Sequence, residues 1–396
     1  MKPRLLRNAT AALVAALGLG LAAPAPAQTQ GVSANEIVLG TIQDLSGPIA
    51  AYGKQLRNGL QMRADEINAA GGVRGRKIRL VVEDSGYDPK RSLLAAQKLV
   101  GSDRIFAMVN HLGTAGNLAA LPIQTESNVI NFLPMSGSRE MFDPPHRLKF
   151  AILAPYYDVM RVIVPQLVRE KGFKTVGVIY QDDEAGLEML RGVEAGLKSI
   201  NMTIAEKTSF KRGATDFSSQ VAKLKAAGCD LVALGTVIRE TVGTMAEARK
   251  TGFNPAFVGS SVVYTHLVHV LGGKAVEGLY AAQTVDHPYG DEGPAPVLDW
   301  ITRYKAKFGE DPTAASIISY LSLDWFAKAA DKAGANLTTD SFIAAMESLK
   351  FPPDMFGGPE VHFTRTNRLG ANDVRLAQIQ NGRWRSVSRY FEIRPE

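Results

Sequence analysis

The sequence predicts an α/β protein with two similar lobes, each built on a mostly parallel β-sheet covered by helices. Short apolar runs rich in β-branched residues alternate with longer stretches of helical period, which is the pattern of parallel strands with helices on both faces. This alternation occurs in two successive series, one before and one after Pro155. A chain of 396 residues with 45% hydrophobic content is also long enough to divide into two cores.

The first series contains four strands and three helices. Its first helix is well marked, because apolar side chains recur on one stripe from Leu56 to Ile67 and Gly71-Gly72 ends the pattern. The predicted strands are 36–42, 77–83, 105–110 and 129–132, and the predicted helices are 51–69, 89–100 and 117–127.

The second series begins after Pro155 and is followed by a different pattern. Its predicted strands are 175–180, 202–209, 230–235, 256–259 and 278–282, and its helices are 159–170, 187–200, 217–226 and 240–250. After Pro288 the pattern gives helices at 294–308, 313–333 and 339–348, then antiparallel strands at 361–363, 374–380 and 384–393. The Asn381-Gly382 turn joins the last two strands.

Residues 1–27 have the composition of a signal peptide. A cationic start precedes an uncharged Ala/Leu-rich run, and Ala25-Pro26-Ala27 forms an A-x-A cleavage site. The apolar run is shorter than the roughly 20 residues that cross a bilayer. We therefore expect export and a mature chain that starts near Gln28. No cysteine near the site offers a position for a lipid anchor.

Charge and cysteine content exclude several classes of protein. The leader carries three of the 45 Lys and Arg residues and none of the 39 Asp and Glu residues, so the mature formal charge is 42 minus 39, or +3. No basic run is interleaved with aromatic residues, so a nucleic-acid partner has no support. The single cysteine, Cys229, cannot form an intrachain disulfide and is expected to be a buried small hydrophobe.

Few motifs indicate catalysis, a cofactor or a metal. The glycines at 71–75 connect a helix to a strand, and a P-loop, a nucleophile elbow and a zincin motif are absent from the sequence. His266 and His269 have helical spacing but no companion ligand, so a surface pair is expected. The acidic run 182–184 is interpreted as a solvated rim. We therefore expect no metal, no cofactor and no enzymatic activity.

Ligands of open α/β sheets bind beyond the carboxyl ends of the strands, so we expect the loops at those ends to form the binding site. Two of these loops, HLGTAG (111–116) and PMSGSRE (134–140), are rich in Gly, Ser and Thr and precede helices or helical turns. Backbone N–H groups beside a positive helix terminus favour an anion. The sequence therefore predicts a carboxylate seat at these two loops.

Several stretches resemble the periplasmic type I solute-binding proteins of branched-chain (hydrophobic) amino acid ABC transporters, the leucine-binding protein family. The most specific is residues 37–92, which contains S-G-P, Y-G, D-E-I-N-A-A-G-G-V and D-P in that order. The HLGTAG loop, VINFLPMSGSRE, TDFSSQVAKLKAAGCDLVAL and the ending GPEVHF extend the resemblance to the C-terminal region.

The resemblance implies two Rossmann-like lobes joined by a three-strand hinge. It places residues 36–151 and 283–355 in lobe one, and residues 152–282 and 356–396 in lobe two. It also implies a periplasmic, monomeric protein that delivers a ligand to the membrane permease of an ABC importer.

The resemblance also implies site residues in both lobes. In lobe one the carboxylate seat maps to Gly113 and Thr114, then Met135, Ser136 and Gly137, with Tyr52 matching the aromatic residue after S-G-P. In lobe two, the acid that pairs with an α-ammonium in amino-acid binders maps to Ser261, and two tyrosines map to Ala185 and Val237.

The missing acid leaves two ligand classes open. A buried ammonium without a carboxylate partner is costly, which favours an amine-free aromatic or acyl acid. Alternatively Asp183 or Glu184 replaces the acid, and the ligand is a branched-chain or hydrophobic amino acid. An exported enzyme and a ligand sensor for a membrane kinase are the remaining alternatives.

Overall fold

The computed structural model describes residues 29–394. The predicted signal peptide, residues 1–27, lies outside this range. Within it the chain forms two lobes, each centred on one β-sheet, as the alternation of strands and helices predicted. None of the helices in this range is both long and apolar enough to cross a membrane.

The sheet of the first lobe has five parallel strands in the order β2-β1-β3-β4-β5. Its strands are β1 (Glu36–Gln43), β2 (Lys77–Asp84), β3 (Ala107–Val109), β4 (Ile130–Phe132) and β5 (Lys149–Phe150). The connecting helices are α1 (Ala50–Ala69), α2 (Pro89–Gln97) and α3 (Thr114–Glu126). Because all five strands are parallel, the loops after β1, β3 and β4 meet at one edge of the sheet.

The sheet of the second lobe begins with five parallel strands, and the C-terminal part of the chain extends it. The parallel strands are β6 (Val176–Gln181), β7 (Glu206–Phe210), β8 (Leu231–Gly235), β9 (Ala256–Gly259) and β10 (Tyr280–Gln283). Its helices are α4 (Tyr156–Lys171), α5 (Glu184–Lys198), α6 (Ser218–Ala226), α7 (Ile238–Lys250) and α8 (His266–Gly272).

Three helices return to the first lobe before the chain ends in the second. They are α9 (Ala295–Phe308), α10 (Ala314–Ala333) and α11 (Thr339–Ser348). Helix α10 packs on α1, where Arg63 pairs with Asp324 at 2.6 Å, and Phe326 packs edge-on against Phe106 with ring centroids 6.0 Å apart. These contacts complete the core of the first lobe.

The C-terminal strands are short and mostly antiparallel. They are β11 (Lys350–Phe351), β12 (Val361–His362), β13 (Asp373–Gln380), β14 (Arg383–Ser386) and β15 (Phe391–Glu392). Strands β11 and β12 form a small separate sheet, whereas β13 pairs with β10 and β14 and extends the second sheet.

Three chain segments cross between the lobes and lie side by side. One passes near Ala151, the second near Asp286, and the third runs from Phe356 to Leu369. Ala151 and Leu369 form a parallel bridge, and the backbone N–H of Asp286 donates to the carbonyl of Phe356 at 2.9 Å. Arg368, only 2% exposed, pairs with Glu347 at 2.7 Å. The crossing segments therefore form the three-strand hinge.

Most element boundaries agree with the sequence prediction to within a few residues, but two differences have clear causes. Helix α3 begins at Thr114 instead of residue 117, because Gly113 adopts φ +95° and lets the chain turn directly into the helix. The strand predicted at 384–393 is divided into β14 and β15, because the Ser388 hydroxyl accepts the Leu376 N–H in place of a backbone carbonyl.

Candidate functional site

A cleft between the two sheets brings together loops from both lobes and the hinge. Its empty space, open solvent included, is ≈ 890 Å³. Among the described residues that line this interlobe cleft, Asp183 carries the one acidic side chain, and there is no Lys, Arg or His. The walls otherwise consist of aliphatic side chains, tyrosines and small polar groups, which is the composition of a site for a small, largely apolar molecule.

Seven of the nine predicted site residues line the interlobe cleft. They are Tyr52, Gly113, Thr114, Met135, Ala185, Val237 and Ser261. Ser136 and Gly137 lie behind the lining. The Ser136 hydroxyl is 2.8 Å from that of Thr114, and the Gly137 carbonyl accepts the N–H of Tyr156 at 2.8 Å. The two loops of the predicted carboxylate seat are therefore adjacent.

Thr114 is the centre of a group of hydroxyls at the start of α3. Its side chain is 4% exposed and interacts with the hydroxyls of Ser136 and Tyr156. Gly113, the N-cap residue, offers no side-chain acceptor to the first turn of the helix, whose N–H groups have no intrahelical acceptor. The N–H of Gly113 is occupied by the Met135 carbonyl at 3.2 Å. The available donors are therefore hydroxyls and the first-turn amides.

Tyr156 belongs to this group although the sequence did not indicate it. It is the first residue of α4, and its ring lies where a side chain at position 137 would be: a Cβ on Gly137 would come within 2.6 Å of the ring. The ring of Tyr156 therefore requires a glycine at position 137.

Three further tyrosines, Tyr52, Tyr87 and Tyr264, line the interlobe cleft. Burial raises the pKa of each of these phenols, and that of Tyr156, above the ordinary value. All four therefore remain neutral at physiological pH and can donate hydrogen bonds. Of these four only Tyr52 was predicted, because it alone belongs to a recognisable local motif.

Asp183 is already engaged by protein groups. It is the N-cap of α5, accepting the Gly186 N–H at 3.1 Å, and it also accepts hydrogen bonds from Gln181 and from Arg212, the latter at 2.7 Å. Its side chain is 10% exposed. Glu184, the other candidate for the relocated acid, is exposed and does not line the interlobe cleft. The prediction of a solvated acidic rim is thus wrong for Asp183, which is largely buried and caps α5.

Arg212 connects the two lobes across the cleft. Besides its pair with Asp183, its guanidinium donates to the Tyr87 carbonyl at 2.8 Å and lies 4.7 Å from the centre of the Tyr87 ring. Tyr87 follows β2 in the first lobe, whereas Arg212 follows β7 in the second. We call the group Tyr87, Asp183 and Arg212 the arginine latch.

A second contact between the lobes involves a buried carboxyl group. Glu188 on α5 is 5% exposed and accepts hydrogen bonds from the Ser138 hydroxyl at 3.3 Å and the Arg139 N–H at 3.2 Å. Burial raises the pKa of Glu188 to about 7, although the hydrogen bond from the Arg139 N–H acts in the opposite direction.

This raised pKa predicts a pH dependence of stability. Because Glu188 binds its proton more tightly in the folded state, its contribution is fully present below its ordinary pKa of 4.5 and is lost as the pH rises through about 7. As the pH rises from 4.5 to 7, the native chain should therefore lose roughly 2–3 kcal/mol of unfolding free energy that Glu188→Gln does not lose. Urea titrations across this range test it, with Glu184→Gln as the exposed control. Parallel pH profiles for the native chain and Glu188→Gln would contradict it.

The histidine pair differs from the prediction of a surface pair. His266 and His269 lie half-buried on α8, where His287 stacks on His266 with ring centroids 5.7 Å apart. The sequence could not show this, because His287 arrives from the segment after β10. Within residues 29–394, no group of three or more His, Cys, Asp or Glu side chains is placed to hold a metal ion.

Cys229 agrees with its prediction. Its side chain is buried and unpaired in the described structure, at 4% exposure. Burial raises the pKa of the thiol to about 11, so it stays protonated and packs as a small apolar group.

Comparisons with known proteins agree with this architecture. A family model for periplasmic binding proteins matches residues 36–383. An amino acid binding protein of Pseudomonas aeruginosa is 27% identical over 338 residues, covering 85% of this chain and 87% of the relative. The Leu/Ile/Val-binding protein of Escherichia coli is 26% identical over 286 residues, covering 72% and 76%.

Solved structures share the fold. A fatty acid ABC transporter substrate-binding protein from Thermomonospora curvata superposes with a TM-score of 0.83 at 24% identity, covering 92% of this chain and 94% of the other. A solute-binding protein from R. palustris in complex with benzoate gives 0.79 at 15% identity, covering 89% and 96%. The family model spans most of both sheets and the hinge, and the chain belongs to the periplasmic binding protein family.

Proposed function

We propose that this binding protein captures an amine-free monocarboxylic acid with an aromatic or acyl body and presents it to the permease of an ABC importer. The observation that carries the proposal is the state of Asp183. It is the one acidic group of the cleft lining among the described residues, and Arg212 neutralises it at 2.7 Å.

An α-amino acid would need a second counter-charge in this cleft. Its ammonium would be buried beside Ser261, whose neutral hydroxyl cannot replace a carboxylate. Breaking the arginine latch to free Asp183 would leave Arg212 uncompensated and remove the cap of α5. A simple acid needs only the hydroxyls and amides around Thr114.

The rest of the lining suits an apolar body. Leu112, Met135 and Ile318 come from the first lobe, and Met189 and Val262 come from the second. Burying apolar surface between them contributes about 25 cal/mol per Å², so closure of the lobes would be driven mainly by this term. Among structural neighbours of the same fold, one is described as a fatty acid transporter component and another holds benzoate.

A hydrophobic amino acid is the second candidate, because the similar curated proteins are described as binding amino acids. In that case Asp183 would exchange Arg212 for the ligand ammonium. The two proposals differ in one chemical group of the ligand, which makes them separable by matched compounds. The family consists of solute-binding proteins, so neither candidate involves turnover of the ligand.

Calorimetry on the chain from Gln28 onwards tests the proposal. The compounds are 4-methylpentanoate against leucine and 3-phenylpropanoate against phenylalanine, pairs that differ by the α-ammonium. We expect each acid to bind at least about tenfold more tightly than its amino acid, since an unpartnered buried ammonium costs well over 1.4 kcal/mol. 4-Methylpentanamide, which lacks the negative charge, is the control.

The opposite ranking would reject the proposal. If leucine binds more tightly than 4-methylpentanoate and Asp183→Asn abolishes leucine binding, the amino-acid candidate takes its place. Recovery of an altered compound after incubation would instead indicate an enzyme.

A further inference from the structure

We infer that the interlobe cleft continues into a second, apolar compartment inside the hinge, and that this hinge pocket holds the distal tail of an extended acyl or aryl monocarboxylate. The inference rests on the proposed function and specifies its ligand. It arises from a pocket of ≈ 450 Å³, open solvent included, between the segments that cross from one lobe to the other.

The hinge pocket and the cleft share part of their walls. Leu153, Thr284 and Ile318 line both spaces. Leu153 and Thr284 belong to two different crossing segments, and both are half-buried. These three side chains form the boundary between the compartments, where an extended ligand would pass from one space to the other.

The walls of the hinge pocket are mainly apolar. Beyond the boundary they include Leu321 and Trp325 of α10, then Val285, Val361 and Ala371. Trp325 is 7% exposed and packs on Phe351 with ring centroids 5.5 Å apart. A rigid wall of this kind favours an alkyl chain or a ring over a polar group.

The charges in the hinge pocket fix the orientation of the ligand. Its two acids, Asp354 and Asp373, are half-buried, and burial raises the pKa of both. Asp354 accepts the Phe356 N–H at 2.7 Å and so faces a protein donor. A second carboxylate would meet these acids and no cation, because the described lining has no Lys, Arg or His. The hinge pocket therefore accepts the apolar end of a monocarboxylate and rejects a dicarboxylate.

A chain-length series tests the inference by calorimetry. The probes are hexanoate, octanoate and decanoate, with decanedioate as the charged control. We expect affinity to increase by up to about fourfold for each methylene that enters the hinge pocket, the equivalent of about 0.8 kcal/mol per buried CH₂. Decanedioate should bind at least tenfold more weakly than decanoate.

A variant that fills the hinge pocket supplies the second measurement. Ala371→Leu adds three carbon atoms to its wall, whereas Ala335→Leu makes the same change at an exposed position. We expect Ala371→Leu to weaken decanoate at least tenfold and hexanoate less than twofold, and Ala335→Leu to change neither.

The outcomes separate this inference from the proposed function. If hexanoate binds to the native chain but the affinity does not increase from hexanoate to decanoate, the hinge pocket is not a ligand compartment and the proposed function stands. Equal weakening of hexanoate and decanoate by Ala371→Leu also overturns the inference. If none of these acids and neither amine-free acid of the matched pairs binds, both proposals fail.

Discussion

Replacing Thr114 by alanine should weaken binding of the proposed carboxylate ligand by roughly 10- to 150-fold, the equivalent of about 1.5–3 kcal/mol for a hydrogen bond to a charged group. The Thr114 hydroxyl is buried at the start of α3 and interacts with the hydroxyls of Ser136 and Tyr156. Its loss removes one hydrogen-bond donor and leaves the hydroxyls of Ser136 and Tyr156 without the group that they share. Isothermal titration calorimetry with 4-methylpentanoate measures the change.

Thr114→Ser is the matched control, because it keeps the hydroxyl and removes only a methyl group. It should bind within about threefold of the native protein. Thermal melts of both variants without ligand separate lost binding from lost folding. Native affinity in Thr114→Ala, with the fold intact, would place the carboxylate seat elsewhere.

Arg212→Ala should weaken binding of the same acid by about 30-fold or more. Removing one partner of a largely buried, hydrogen-bonded ion pair costs about 2–5 kcal/mol. The loss has two physical causes. The variant loses the contact between Arg212 and Tyr87 of the other lobe, and it leaves the Asp183 carboxylate without its cation in a cleft that, under the proposed function, receives an anion. Calorimetry measures the affinity, and small-angle scattering measures the separation of the lobes.

The double variant Arg212→Ala/Asp183→Asn distinguishes these causes. It removes the uncompensated charge of Asp183 but does not restore the contact with Tyr87, so it should recover only part of the affinity. Arg365→Ala, a change at an exposed residue of the C-terminal region, is the control for loss of one positive charge. If Arg212→Ala binds like the native protein, the arginine latch has no role in ligand capture.

Regular elements could be predicted closely because their signals are local. Helix α1, predicted at 51–69, is observed at Ala50–Ala69, since its apolar stripe and the glycines after it are both contained in the segment. The short strand β5, by contrast, was not predicted. Its two residues, Lys149 and Phe150, carry no alternating pattern, and their pairing depends on β4 already being in place.

The candidate site could be predicted only where a motif marks it. Gly113 and Thr114 stand in a Gly/Thr-rich loop before a helix, and the structure places them in the interlobe cleft. Tyr156, which lines the cleft, and Arg212, which pairs with Asp183 of its lining, come from positions with no such marker. The hinge and the strand order bring these distant segments together. The engagement of Asp183 by Arg212, on which the choice of ligand class depends, links residues 29 positions apart on two different loops.

The order of strands in the second sheet also determines how the chain can fold. Strand β10 has β9 on one side, but its other neighbour is β13, and Tyr280 pairs with Gln378 almost 100 positions later. During synthesis or export from the amino terminus, β10 therefore remains an unpaired edge, with the backbone groups that invite aggregation, until the last part of the chain arrives. Such distant pairing also slows folding. The first sheet, contained in residues 36–150, assembles without this delay, although its helical cover also arrives late.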